Sequence, residues 1–334
     1  MTFPRYQHHR MIVARLAFAA AALPFLGISA AQANIISPYT TIFSTDFTTA
    51  GTGGMRGTGT GTITVAGATG PATQSLLYWH GPTNSTDPNA NATVAVNGTS
   101  VTGSNIGFSS DNFWSSLNSQ AYRATTTSVI NGNGVFSLSN FVKPTANVNG
   151  AATAIFSNDG NAATKRDIVI FNGNDSNYAS SFDPAGWNLT LNGINYTSGA
   201  ASLTLFVSDG QNFSPNDDGT LRINGTTLAT GGIFQGNTLP GGPGTNTGNN
   251  GNLFDIKTFD ISSFLTPGSN NLNLTLDAGS SDALSLVTAF VNLPAGAAPP
   301  VSTVPEPAGL SLLGLGLAAC GLMRKQRPAR TTAV

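Results

Sequence analysis

The sequence predicts an all-β protein of one or two jelly-roll-like β-sandwiches, with an apolar helix at each end of the chain. Three observations carry this expectation. Charged residues make up only 9% of the chain, and Gly contributes 39 of 334 positions. The body is poor in the Ala/Glu/Lys/Leu mixtures that propagate helices, and rich in strand-favouring Thr, Val, Ile and Phe and turn-favouring Asn and Gly. Finally, one strand–loop–strand–turn unit occurs twice at nearly constant spacing.

The first helix is a signal segment. Arg5, Arg10 and Arg15 form a basic start, residues 16–28 an apolar core, and Ala31-Gln32-Ala33 a small-x-small cleavage site. Cleavage after Ala33 removes residues 1–33 and leaves Asn34 first; an uncleaved signal anchor is the alternative. His8 and His9 leave with the segment, and the Sec translocon is the partner it implies.

The body follows. Leu76-Leu77-Tyr78-Trp79 reads as a strand, and eighteen residues after Trp79 comes Asn97, within Val94-Ala95-Val96-Asn97-Gly98-Thr99. Leu203-Thr204-Leu205-Phe206 reads likewise, and eighteen residues after Phe206 comes Asn224, within Leu221-Arg222-Ile223-Asn224-Gly225-Thr226. Asn-Gly suits a type I′ turn, whose two central residues both need positive φ. Downstream, Ser128-Val129-Ile130 and Gly134-Val135-Phe136-Ser137-Leu138 parallel Ser263-Phe264-Leu265 and Leu272-Asn273-Leu274. The offset there has grown from 127 to 135, and the Gly/Asn-rich stretch 239–252 can absorb the difference. These matches suggest two related sandwiches, 34–198 and 199–294, joined to the tail by a stiff Pro/Ala linker, 295–303. A single large sandwich is the alternative.

Two resemblances rest on this body. Asp260-Ile261-Ser262-Ser263-Phe264-Leu265-Thr266-Pro267-Gly268, following the Asn-Gly turn, resembles the galactose-binding-like jelly roll. That resemblance implies a sandwich whose relatives often bind sugars. Arg166-Asp167-Ile168-Val169-Ile170-Phe171-Asn172-Gly173 resembles a family of secreted bacterial surface proteins with no known activity.

The tail comes last. Val304-Pro305-Glu306-Pro307 precedes an uncharged run of 16 residues, 308–323, and then Arg324-Lys325-Gln326-Arg327. As a helix the run would reach about 24 Å, slightly short of a hydrocarbon core of ~30 Å. The cations hold its end on the cytoplasmic side. The prolines keep Glu306 in an extended, accessible chain, because proline fixes φ and lacks an N–H. This order over 304–330 resembles the PEP-CTERM sorting signal of Gram-negative bacteria. The resemblance implies exosortase as a processing partner, an inner-membrane precursor held by its C-terminal helix, and delivery to the cell surface or extracellular matrix. That family accompanies exopolysaccharide export.

Charge excludes one class of partner. Between Asn34 and Val304 there are fourteen Asp, no Glu and seven Lys plus Arg, so the body carries 7 − 14 = −7. This lacks a basic nucleic-acid footprint. Cys320 is the sole cysteine and lies in the tail, so no disulfide staples the body.

The chemistry on offer is thin. His80 is the only histidine left after cleavage, so a Ser-His-Asp arrangement would have to use it; a capped strand-end histidine is the plain reading. Glycoside hydrolysis needs two carboxylates of different pKa, and nothing singles out a pair. Asp209, Asn212, Asn216, Asp217 and Asp218 form the densest oxygen-donor cluster. It reads either as a solvated loop of Asx turns or as a Ca²⁺ site. Asp175 with Asn172, Asn174 and Asn177 is a second candidate. Trp114, Trp79 and Tyr122 could offer sugar-stacking faces, with core packing the default. The expected function is a non-catalytic, exported surface or matrix protein, associated with exopolysaccharide or biofilm. The alternatives are a carbohydrate-binding module and a polysaccharide-acting enzyme.

Overall fold

A computed structural model of the chain describes residues 35–109, 116–177, 186–212, 218–243, 251–277 and 283–298. Ala31, Ala33, the sorting motif Val304 to Pro307, the helix expected over 308–323, Arg324, Lys325 and Arg327 lie outside the described residues. So do Trp114, Asn216 and Asp217.

The fold is all-β and antiparallel. Its first nine strands are β1 (Ile35–Thr52), β2 (Gly61–Val65), β3 (Ala72–Thr83), β4 (Thr93–Val96), β5 (Thr99–Thr102), β6 (Ser104–Ser109), β7 (Asn118–Thr125), β8 (Gly134–Ser139) and β9 (Gly150–Ser157). The remainder are β10 (Arg166–Ser176), β11 (Trp187–Tyr196), β12 (Ser202–Ser208), β13 (Thr220–Ile223), β14 (Thr226–Thr230), β15 (Phe254–Asp260), β16 (Gly268–Leu276) and β17 (Ser285–Pro294).

The two halves repeat one topology. A nine-stranded sheet runs β15-β12-β17-β10-β1-β9-β3-β7-β6. Outward from its centre, β1-β9-β3-β7 in one half matches β10-β17-β12-β15 in the other. The two four-stranded sheets, β2-β8-β4-β5 and β11-β16-β13-β14, match strand for strand. On this pairing the break between repeats falls between β9 and β10, not at 198/199. Residues 166–196 precede the expected boundary, yet β10 hydrogen-bonds to β17 and β11 to β16. The extra residues of the second half fall between β14 and β15, around the stretch expected to absorb them.

Strand β1 joins the halves. Its Ile35–Ile42 portion pairs with β10 and its Asp46–Thr52 portion with β9. Between them Ser44 adopts φ +49°, and its N–H donates to Asp167 Oδ1 at 2.9 Å. That corner lets the large sheet fold over, so its two portions face each other.

Side-chain alternation then sorts the core into three. Leu77 and Trp79 face the β2-β8-β4-β5 sheet, whereas Leu76 and Tyr78 face the other half. In the second half, Leu203, Leu205 and Val207 face the β11-β16-β13-β14 sheet and Phe206 faces inward. The central strands are thus buried on both sides, which explains why they read as continuous apolar runs rather than as alternation. The layer between halves is aromatic: Phe290 lies 5.1 Å from Phe206, 5.2 Å from Phe47 and 5.9 Å from Tyr78.

Beside the corner, buried Lys165 pairs with Asp46 and reaches Asp159 at 2.6 Å. Burial alone would push the Asp46 carboxyl up. Hydrogen bonds from Lys165, Thr69, Thr164 and the Asp159 N–H outweigh it and hold the group below its ordinary value. The expected linker begins differently from a free spacer. Ala297 and Ala298 are buried in the second core, and the N–H groups of Gly296 and Ala298 donate to Asp167.

Candidate functional site

Several sequence candidates are occupied by the fold. Trp79 and Tyr122 stack on each other at 5.3 Å and are buried, so neither offers a face to a sugar. Trp79 Nε1 donates to the Asn91 carbonyl, and Asn91 N–H donates to the Tyr122 hydroxyl. These bonds let both polar tips enter the core at low cost, and burial pushes the Tyr122 phenol up to about 12.

Of the calcium candidates, Asp209 and Asp218 are engaged by protein donors. Asp209 pairs with Arg56 and accepts from Asn149 Nδ2 at 3.1 Å. Asp218 accepts from the N–H groups of Ile233 and Phe234 at 2.5 and 2.7 Å, while Asn212 is exposed. Asn172, Asn174 and Asp175 lie on β10 and Asn177 just after it, with a register shift against β17 between Asn172 and Asp175. Among the described residues no group of three or more His, Cys, Asp or Glu gathers as a metal site.

What the fold does build is a groove at one end of the first sandwich. Its first wall is the turn after β1. Buried Met55 anchors it, with Thr58 and Gly59 N–H groups donating to the Met55 carbonyl. The turn is pressed against the second half, where Gly53 N–H donates to the Pro240 carbonyl at 3.0 Å. A Cβ at Gly53 would lie 2.3 Å from the Asn252 carbonyl oxygen, so only glycine fits there. Arg56 projects from this turn. Its Nε donates to Asn149 Oδ1 at 2.9 Å, and its guanidinium pairs with Asp209 from the end of β12.

The other walls are the end of β3 and the turn before β9. Lys143 and Ala146 exchange backbone hydrogen bonds, placing Pro144 and Thr145 at the tip. Thr145 is tied to β3 by Asn84 N–H and Thr83 Oγ1, both donating to its carbonyl at 2.8 Å. Asn147 Oδ1 accepts from Gly57 N–H at 2.8 Å and so links this turn to the first wall. The groove holds about 390 Å³, within the range of small-ligand sites. Among the described residues Arg56 and Lys143 are its ionisable lining residues; Pro82, Thr83, Asn84, Ser116, Thr145 and Asn147 supply much of the rest. Lys143 donates to the Asn140 carbonyl and pairs with no described carboxylate.

Beneath the groove lies a cavity of about 10 Å³, room for about one water, lined by Arg56, His80, Ser119, Asn149 and Asp209 among others. His80 is 2% exposed, and neither ring nitrogen makes a hydrogen bond of good geometry. Burial pulls its pKa down to about 3; the neighbouring Asn174 side chain opposes this, and the Arg56 charge adds to it. His80 is therefore a neutral imidazole at any ordinary pH. Asp209, the carboxylate lining the same cavity, is engaged by Arg56 and Asn149, so no Ser-His-Asp relay is assembled among the described residues.

Sequence reasoning missed this groove. The available signal was scarcity: with seven cations in the body, an arginine in a Gly-rich turn and a Lys-Pro turn both deserved notice.

A family model described as the PEP-CTERM protein-sorting motif matches residues 303–327. The match covers the tail and not the body. The chain thus carries the sorting signal of an exosortase substrate. No curated protein matches the chain in sequence.

Proposed function

We propose that this chain is a non-catalytic surface or matrix protein, carried out of the cell and associated with exopolysaccharide. The observation that carries the reading is the order of parts: an antiparallel β-sandwich body followed by the sorting motif at 303–327. Export by the Sec route, anchoring by the 308–323 run and release or transfer by exosortase at the cell envelope form the expected sequence of events. The non-catalytic part rests on His80, which burial keeps neutral and without a carboxylate partner. A polar, acidic body is compatible with a hydrated polymer matrix.

The experiment is a Glu306→Ala variant of the full chain in its own host. We expect the wild-type chain to leave the inner membrane and lose the tail near Glu306, and the variant to remain in the membrane with its tail intact. Cell fractionation and intact mass read both. A wild-type chain that stays in the cytoplasm with both ends uncut defeats the proposal. A carbohydrate-binding module with a defined site is the second reading, and the Arg56–Lys143 groove is what favours it.

A further inference from the structure

The geometry points to the Arg56–Lys143 groove as a binding site for an anionic saccharide, a sugar unit bearing a carboxylate or sulfate. This inference rests on the matrix reading above and names the ligand class it would meet.

The charge pattern is the first argument. The body carries −7, so anions are repelled from most of its surface. The groove reverses that sign locally: among its described lining residues Lys143 and Arg56 are the charged ones, and because Arg56 is itself paired with Asp209, Lys143 supplies the uncompensated charge. Four of the body's other cations are committed elsewhere. Lys165 is buried against Asp46 and Asp159, Arg222 pairs with Asp277, Arg166 bonds Asn292 and the Ala200 carbonyl, and Arg123 lies over the Tyr39 ring. Lys143 is half-buried at the groove with a carbonyl as its acceptor, so an incoming anion meets a cation that no described carboxylate neutralises.

The lining is the second argument. Asn84, Asn147, Thr83, Thr145 and Ser116 offer amides and hydroxyls suited to sugar hydroxyls, while Pro82 and Pro144 give flat apolar patches for ring C–H faces. A volume of about 390 Å³ accommodates one to two sugar units. The walls are fixed before any ligand arrives: Arg56 is held by Asn149 and Asp209, and the Lys143 turn by Thr83 and Asn84. Such preorganisation lowers the ordering cost of binding. Below, His80 lines a cavity the size of one water.

The test uses the full-length protein purified in detergent, with isothermal titration of three probes of equal length: an oligogalacturonate, a sulfated oligogalactan and a neutral oligogalactan. Wild type is expected to bind at least one anionic probe, to bind the neutral probe at least about tenfold more weakly, and to lose affinity as salt rises. Lys143→Gln should weaken anion binding at least about tenfold and Lys143→Glu more, as for loss of a charge-assisted bond. Arg222→Gln, remote from the groove, should leave binding unchanged. Preference for the uronate or for the sulfate identifies the source of the charge. No binding to any probe, equal binding of the neutral one, or Lys143 variants that bind like wild type overturns the inference. Co-sedimentation with the host's native polymer separates the two failures. Retention that is indifferent to Lys143 sinks the groove but leaves the matrix role standing; loss of retention by wild type sinks the matrix role itself.

Discussion

At the scale of single residues, burial decides what each polar group can do. His80 is the clearest case, because its pKa falls from 6.5 to about 3 on folding. A histidine with a depressed folded value binds fewer protons folded than unfolded across that interval. Stability therefore rises with pH there, and is lost as pH falls below 6.5, approaching about 1.4 kcal/mol per pH unit. His80 is the only histidine between Asn34 and Val304. We expect urea unfolding of wild type to show that slope between pH 6 and 4.5, and His80→Gln to flatten it. Equal slopes in the two proteins would mean that the imidazole is hydrated and protonates without unfolding. Trp79 and Tyr122 teach the same lesson from the apolar side. A flat ring near a loop looks like a sugar platform in sequence, but a position inside a strand between two sheets makes it core.

At the scale of elements, the Asn-Gly turns were legible because they demand a rare backbone. Asn97 and Asn224 adopt φ +49° and +51°, and Gly98 and Gly225 follow at +76° and +79°. The structure adds a second role that the pattern did not reveal. Asn97 Oδ1 accepts from Ser137 N–H at 2.8 Å, and Asn224 Oδ1 accepts from Asn273 N–H at 2.8 Å, so each turn is stapled to the neighbouring strand. Alanine at either site loses that hydrogen bond and the short polar side chain that lets asparagine tolerate the left-handed region, costing about 1–2 kcal/mol. The turns sit in different sheets and share no partner, so the double variant should lose the sum, read by chemical denaturation. A marked departure from additivity would mean that the outer sheets communicate directly. Strand type, turn position and the duplication could thus be read from spacing, whereas the repeat boundary could not. That boundary depends on which strands β10 and β11 hydrogen-bond to, and partner choice leaves no periodicity in sequence. The groove was invisible for a related reason: Arg56, Asn84 and Lys143 are brought together by topology rather than by any motif.

At the scale of the whole molecule, the duplication has not produced two independent domains. Strand β1 gives one portion to each half of the nine-stranded sheet, the Arg56–Asp209 pair crosses between halves, and the inward layer joins them through aromatic contacts. Neither half can open without exposing Tyr78, Phe206 and Phe290 and unpairing one side of β1. Cooperative unfolding of both halves follows. Trp79 and Trp187 report on the first and second cores respectively, since each is buried in a different apolar cluster. In two variants, each keeping one of these tryptophans and carrying Phe at the other two, the fluorescence transitions in urea should coincide. Phe290→Ala removes a fully buried ring from the shared layer and should cost about 3–5 kcal/mol. Its decisive signature is not the size of the loss but its distribution. If the shared layer couples the halves, both tryptophan transitions move to lower urea together, although Phe290 belongs to a strand of the second half only. Should the Trp187 transition move while Trp79 stays in place, the halves would be autonomous sandwiches in contact, and β1 a linker rather than a common strand.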